Sequence, residues 1–215
     1  MSVAKDLGSF AESVKSAELP QGARDTIRNL LLDVTGLCVA ARNNDYVAAA
    51  RASAIQNGSA SALGHAGSFG PYDAALINGT AAHGEDYDDT FEGGPVHAGA
   101  VIVPAVLAIA EERGLDGDAV TRGIAVGVEL MCRMSLVTPQ AIHKACFHPT
   151  AVIGAPAAAG AVAAAIGLNA SKTMHAIGVS GSLASGIIEY LADGSWTKRL
   201  HAGAAAQSGM RAALL

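Results

Sequence analysis

Between Pro20 and Ala41, apolar side chains fall at Ala23, Ile27, Leu30, Leu31, Val34, Leu37, Cys38 and Ala41, the three- and four-residue spacing of one helical face. Pro20 suits a first turn, and Asn43-Asn44-Asp45 stops the run. The same periodicity predicts a short helix over 47–55 closed by Asn57-Gly58, another over 72–82 behind Pro71, and a third over 98–113 with Gly114 as its C-cap. Further helices are predicted over 116–136, 151–166, 187–192 and 202–215, with a loop around Pro139 and Ser171 capping a short helix through Ala176. Strand-type alternation is almost absent, and Ser61 to Leu63 is the one plausible extended piece. The layout is all-α, a multi-helix globular domain over 1–215 without an internal repeat. Because the last helix reaches Leu215 with no stop signal, the polypeptide is expected to continue further or to be covered there by another subunit.

The stretches 98–113 and 151–166 lack a polar face, so both are expected at the centre of the globule. A monomer of this length would scarcely cover both, which predicts a homodimer. Composition supports close helix packing: 51% of residues are hydrophobic but only 4% aromatic, so Ala, Val, Leu and Gly fill the interior. Charged residues make up 15%, against about 25% in a typical soluble domain. The net charge of −5 and the lack of a basic stripe argue against nucleic-acid binding. Residues 146–171 contain no Asp, Glu, Lys or Arg, yet they are mostly Ala and Gly and are interrupted by Pro149 and Pro156, which points to a core helix rather than a membrane span. Cys38, Cys132 and Cys146 form no C-x-x-C pair and the N-terminus has no apolar signal core, so free thiols and a cytoplasmic setting are expected.

Chemistry concentrates in His83-Gly-Glu-Asp-Tyr-Asp-Asp-Thr-Phe-Glu-Gly-Gly-Pro-Val-His97, with five carboxylates and two histidines in fifteen residues. No Lys or Arg occurs from Ala52 to Glu112 to neutralise it, and crowded carboxylates shift one another and any histidine beside them. An EF-hand is excluded, because counting from Asp86 puts Phe91 where glycine is needed and His97 where a bidentate Glu is needed. Asp88-Asp89-Thr90-Phe91-Glu92 has the spacing of a magnesium-binding motif of all-α isoprenoid synthases, but this chain lacks the aromatics to line their cavity. His143, Cys146 and His148 are poorly spaced for zinc, and Gly178, Gly181 and Gly186 follow no strand, against a dinucleotide loop. A second stretch, Asp193-Gly-Ser-Trp-Thr-Lys-Arg-Leu-His201, offers Lys198, Arg199 and His201 either as snorkelling cations in a helix-to-helix loop or as a pocket for carboxylate groups. Between the two lies Phe147-His148-Pro149-Thr150, just before an apolar helix.

Together these strings resemble the MmgE/PrpD family: Asn78-Gly-Thr-Ala-Ala-His-Gly-Glu-Asp-Tyr-Asp-Asp-Thr90, then His97 and its helix, Phe147-His-Pro-Thr150, and Gly194-Ser-Trp-Thr-Lys-Arg-Leu-His-Ala-Gly203. The resemblance runs over essentially the whole chain. It implies a dimeric, cofactor- and metal-independent enzyme with a large helical domain and a smaller α+β lid, which these 215 residues stop short of. It further implies that Asp86, Thr90, His97, His148 and Lys198 line the active site, with Asp86 orienting a neighbouring histidine. Arg199 and His201 join them as carboxylate binders. The implied substrate is a small di- or tricarboxylate. The Lys198 stretch looks most like 2-methylcitrate dehydratases, ahead of cis-aconitate decarboxylases and iminodisuccinate epimerases. A non-catalytic helical unit that only dimerises is the alternative from another class. On the enzyme reading, Asp86, His97, His148 and Lys198 must converge on one cleft.

Overall fold

The computed structural model describes residues 2–215, and among them the chain is all-α, with one short strand. Helix α1 (Val3–Ser13) leads through a 3-10 turn (Ser16–Glu18) into α2 (Gln21–Ala41) and α3 (Asp45–Ala52). After β1 (Gln56–Ala60) come α4 (Pro71–His83), α5 (Gly99–Arg113), α6 (Gly117–Val137) and the single turn α7 (Ala141–Lys144). The chain closes with α8 (Pro149–Ala165), α9 (Ala170–Leu183), α10 (Tyr190–Asp193) and α11 (Thr197–Leu214).

Helix α8 is the axis of the fold. It carries no charged side chain, every residue except Val152 and Pro156 is buried, and α1, α5, α6, α9 and α11 pack around it. Pro156 removes one N–H from its ladder without ending the helix. Helix α5 is buried from Gly99 through Val106 and again at Ala108 to Ala110, so both stretches predicted to be central are central, and a single chain covers them, contrary to the expectation that they would need a second copy. The core is largely alanine; each such side chain buries little area but loses no rotamer freedom on folding. Stability must therefore come from backbones that approach closely. One such approach joins α4 and α11, where a Cβ on Gly79 would lie 2.6 Å from Gly203 Cα, and one on Gly203 would collide with the Leu76 carbonyl.

Several predicted boundaries move. Helix α1 was not anticipated from the pattern; it uses Ala4, Leu7 and Phe10 against the core and packs on α9. The extended segment is Gln56–Ala60 rather than 61–63. Its Asn57-Gly58 does not cap a helix, because Asn57 N–H donates to Ser68 O at 2.9 Å and Gly58 lies too close to the Phe69 carbonyl for any side chain. Helix α9 is capped by Asn169, which accepts from Lys172 N, not by Ser171, and it continues through Gly178 and Gly181 to Leu183 because Ile177 and Ser180 keep a buried face. Helix α11 starts at Thr197, five residues before the predicted 202, so Lys198, Arg199 and His201 belong to its first turns and not to a loop. No helix among the described residues is long and apolar enough to cross a membrane.

Two glycine substitutions of opposite sign test this packing. Gly203→Ala should destabilise the chain by at least ~1–3 kcal/mol, since α4 and α11 must separate to admit one methyl. Gly178→Ala, with nothing within 4 Å of the added carbon, should stabilise it by ~0.5–1 kcal/mol. Urea denaturation of both variants measures the difference.

Candidate active site

The acidic run begins where α4 ends. Gly84 packs against the Tyr46 ring, and Asp86 turns the chain in the left-handed region at φ 56°. Two residues on, the adjacent carboxylates of Asp88 and Asp89 do different work. Asp89 accepts from Ala98 N (3.2 Å) and Gly99 N (2.8 Å), satisfying free N–H groups at the start of α5. A Cβ on Gly99 would collide with that carboxylate. His97 is thereby held just ahead of α5, and its backbone N–H donates to Thr150 Oγ1 at 3.2 Å, in the first turn of α8. His148 stands at the N-cap of the same helix, its own N–H bonded to Gly186 O at 2.8 Å.

Helix α11 closes the arrangement from the other side. Lys198 Nζ forms an ion pair with Asp86, 112 residues earlier in the chain. Arg199 Nε donates to Gly84 O at 2.6 Å, and its guanidinium lies 4.8 Å from the centre of the Tyr46 ring. The cations missing from the acidic run are supplied by α11.

A cavity of about 500 Å³ opens between these elements, lined by His83, Asp86, His97, His148, Tyr190, Lys198 and Arg199 among others. Asp86, His97, His148 and Lys198 therefore face one cleft, as convergence requires. Thr90 is not part of the lining; its Oγ1 is 3.5 Å from His97 Nδ1, at the limit of a hydrogen bond. His201 stands behind the lining, its Nδ1 3.2 Å from His148 Nδ1. The orienting contact anticipated for Asp86 is made by Asp88. Its carboxylate is fully enclosed, accepts from His83 Nδ1 at 2.7 Å and lies 3.3 Å from His97 Nδ1, while Asp86 engages Lys198.

Four imidazoles thus form a string: His97 to His83 at 4.7 Å between ring centres, His83 stacked on His148 at 5.5 Å, and His148 to His201 at 5.3 Å. Burial pulls His97 down, but the Asp88 carboxylate more than offsets this and raises it above its ordinary value. His148 has no carboxylate partner. Burial, together with the charges of His83, His201 and Lys198, pushes it down to about 2. His201 is lowered as well, by burial and by His83. Burial would raise Asp88, yet its contacts with His83 and His97 hold it far below the usual carboxylate range. Burial raises Asp89 despite its two backbone donors. One end of the string is biased toward holding a proton and the other toward lacking one.

His83, Asp88 and Tyr190 were missed as site residues. For the first two the signal was present, since both lie in the acidic run, but helical periodicity says nothing about which loop carboxylate turns inward. His83, Asp86, Asp88 and His97 each bring a donor atom within 4.8 Å of the others, the grouping best able to hold a metal among the described residues. The donor set does not fit one well. Asp88 is engaged by two imidazoles, and Asp86 is neutralised by an ammonium group that a cation would have to displace.

The fold and site define a class: an all-helical domain that presents histidines and a lysine to a cavity at the ends of α4, α8 and α11. The family model described as the MmgE/PrpD N-terminal domain matches residues 5–215, and the chain belongs to the MmgE/PrpD family. It is similar to the cis-aconitate decarboxylase-like protein oryM of Aspergillus oryzae, 27% identical over 99% of this chain and 46% of that protein. It is also similar to the cis-aconitate decarboxylase of Mus musculus, 34% identical over 67% of this chain and 30% of the mouse protein, and to that of Aspergillus terreus, 26% identical over 99% and 45%. The chain thus spans less than half the length of each of these relatives.

The histidine string gives stability a signed dependence on pH. His148 and His201 have depressed folded values, so the unfolded chain binds more protons below about 6.5, and stability must fall as pH drops through that range. His97, raised in the fold, contributes stability that is complete below its unfolded value and is lost as pH rises through its folded one. His148→Gln should flatten the acid arm by up to ~1.4 kcal/mol per pH unit, measured by denaturant titration at several pH values.

Proposed function

We propose that this chain is the helical, site-bearing part of a cofactor-independent lyase acting on a small polycarboxylate, with cis-aconitate decarboxylation as the preferred reaction. The observation that carries the reading is that His97, biased toward its charged form, and His148, kept neutral, line one cavity with Lys198. Loss of carbon dioxide from a tricarboxylate leaves an electron pair delocalised onto a neighbouring carboxylate. Lys198 and the N-terminal ends of α8 and α11 supply positive charge for that anion, and His97 supplies the proton that quenches it. The cis-aconitate decarboxylases among the relatives support this substrate.

A second reading rests on the Gly194–Gly203 stretch, which resembles 2-methylcitrate dehydratases. There His148 would take the proton next to a carboxylate while His97 protonates the departing hydroxyl. Epimerisation of iminodisuccinate uses the same proton transfers without a leaving group. Thr90, Arg199 and His201 act in these readings by supporting the lining residues and the substrate's carboxylates. Homodimerisation, a cytoplasmic setting and a lid contributed by a further segment also belong to this proposal. The relatives' greater length leaves room for that lid.

The test is direct. The chain, and any longer polypeptide that carries it, is assayed for carbon dioxide release from cis-aconitate and for water loss from 2-methylcitrate. Turnover of either substrate supports the lyase reading and tells the two reactions apart; no turnover of any polycarboxylate by either form would sink it. In an active protein, Lys198→Ala and His148→Ala should each lower turnover by ~10²–10⁴-fold. A change of only a few-fold would remove them from the mechanism. A non-catalytic dimerising unit is distinguished by thermal shift, because citrate or tricarballylate at 100 Kd should add ~2.7 kcal/mol to a chain that binds it.

A further inference from the structure

We propose that Asp88 is the positioning residue of the site: one buried carboxylate that hydrogen-bonds Nδ1 of His83, forms an ion pair with Nδ1 of His97, and so favours Nε2 of His97 as the atom that exchanges a proton with the substrate. The inference deepens the lyase reading and rests on it for its catalytic consequence. Its structural part stands without any substrate.

The geometry is specific to Asp88. Its side chain is completely enclosed and is not part of the cavity lining. Oδ2 accepts from His83 Nδ1 at 2.7 Å; Oδ1 lies 3.3 Å from His97 Nδ1 in an ion-pair contact and has no hydrogen bond from any donor, while His97 Nδ1 is also 3.5 Å from Thr90 Oγ1. No Lys or Arg pairs with it, because Lys198 is engaged by Asp86. An ionised carboxylate enclosed in this way favours N–H groups facing it, so a protonated Nδ1 is the favoured tautomer of each imidazole. In each five-membered ring that leaves Nε2 on the opposite side. His97 lines the cavity, and its Nε2 is then an acceptor when the ring is neutral and an acid when it is charged. His83 shows the same lock, since its Nε2 is buried and has no partner.

The other end of the string is built differently. His148 and His201 face each other through their Nδ1 atoms at 3.2 Å, so only one of those two atoms carries the shared hydrogen, and no carboxylate contacts either ring. The groups that face His97 are Asp88, Asp86, Asp89, Lys198, His83 and His148; of these acids only Asp88 touches its ring. Asp88 therefore acts through His97, holding the acid of the proposed reaction in one tautomer and near its charged form.

Imidazole 15N spectra of the 215-residue chain test this without a substrate. In the unsubstituted chain, His83 and His97 should both give the Nδ1–H pattern when neutral, and His97 should titrate above its ordinary value. Asp88→Asn keeps the volume but cannot accept from both rings. In a variant that keeps its circular dichroism, the His97 titration should move down by at least about one unit and the fixed tautomer should be lost. If Asp88→Asn does not fold, the spectrum of the unsubstituted chain decides alone: an Nε2–H tautomer at His97 overturns the proposal. A folded variant with unchanged His97 titration overturns it too. Where a form with lyase turnover is in hand, Asp88→Asn should lower kcat by ~10–100-fold with KM little changed and shift the limb of the pH profile set by His97. Turnover and pH profile left as in the parent protein contradict the positioning role. The spectra and the turnover assay fail independently, so a wrong tautomer and a wrong reaction are told apart.

Discussion

The approach of α4 to α11 is the constraint on which the rest of the site depends. Gly79 and Gly203 let the two backbones touch. From that contact, α4 runs one turn to His83, and α11 runs back to Lys198 and Arg199. If the helices stood farther apart, Lys198 would not reach Asp86, Arg199 would not reach the Gly84 carbonyl, and the acidic run would remain an uncompensated loop. The alanine-rich interior serves the same end, since small side chains on α8 let its neighbours crowd a single axis.

The three aspartates of the run show how one short segment can meet several electrostatic demands. Asp86 looks outward to an ammonium group, Asp88 inward to two imidazoles, and Asp89 along the chain to the free N–H groups of α5. Each carboxylate is met by a different kind of donor, so none competes with the others. That division also leaves Asp86 and Asp88 of the cluster His83, Asp86, Asp88 and His97 already paired with an ammonium group and with imidazoles.

Much of this was legible in the sequence. The apolar stretches predicted to be central form α5 and α8, and the helix ends marked by His97, His148 and Lys198 share a cavity. The parts that were not legible have physical reasons. A carboxylate's direction in a loop is set by backbone dihedrals such as the left-handed turn at Asp86, which no hydrophobic period records. The start of α11 was placed late because Lys198 and Arg199 look like loop cations until their partners on the α4 side are known. Helix α1, by contrast, was legible and overlooked, since Ala4, Leu7, Phe10 and Ala11 fall at helical spacing and form a pronounced apolar face toward the core.

The positive φ of Asp86 limits what evolution or design can do at that position. Among the twenty residues, only Gly, Asn and Asp enter that region at low cost. A glutamate, although it keeps the charge, would have to carry a longer side chain through the same strained backbone. The site is thus fixed twice over, by the chemistry of the carboxylate and by the shape of the chain beneath it. Replacement by alanine at this position mixes the two, whereas asparagine removes the charge and leaves the backbone where it was.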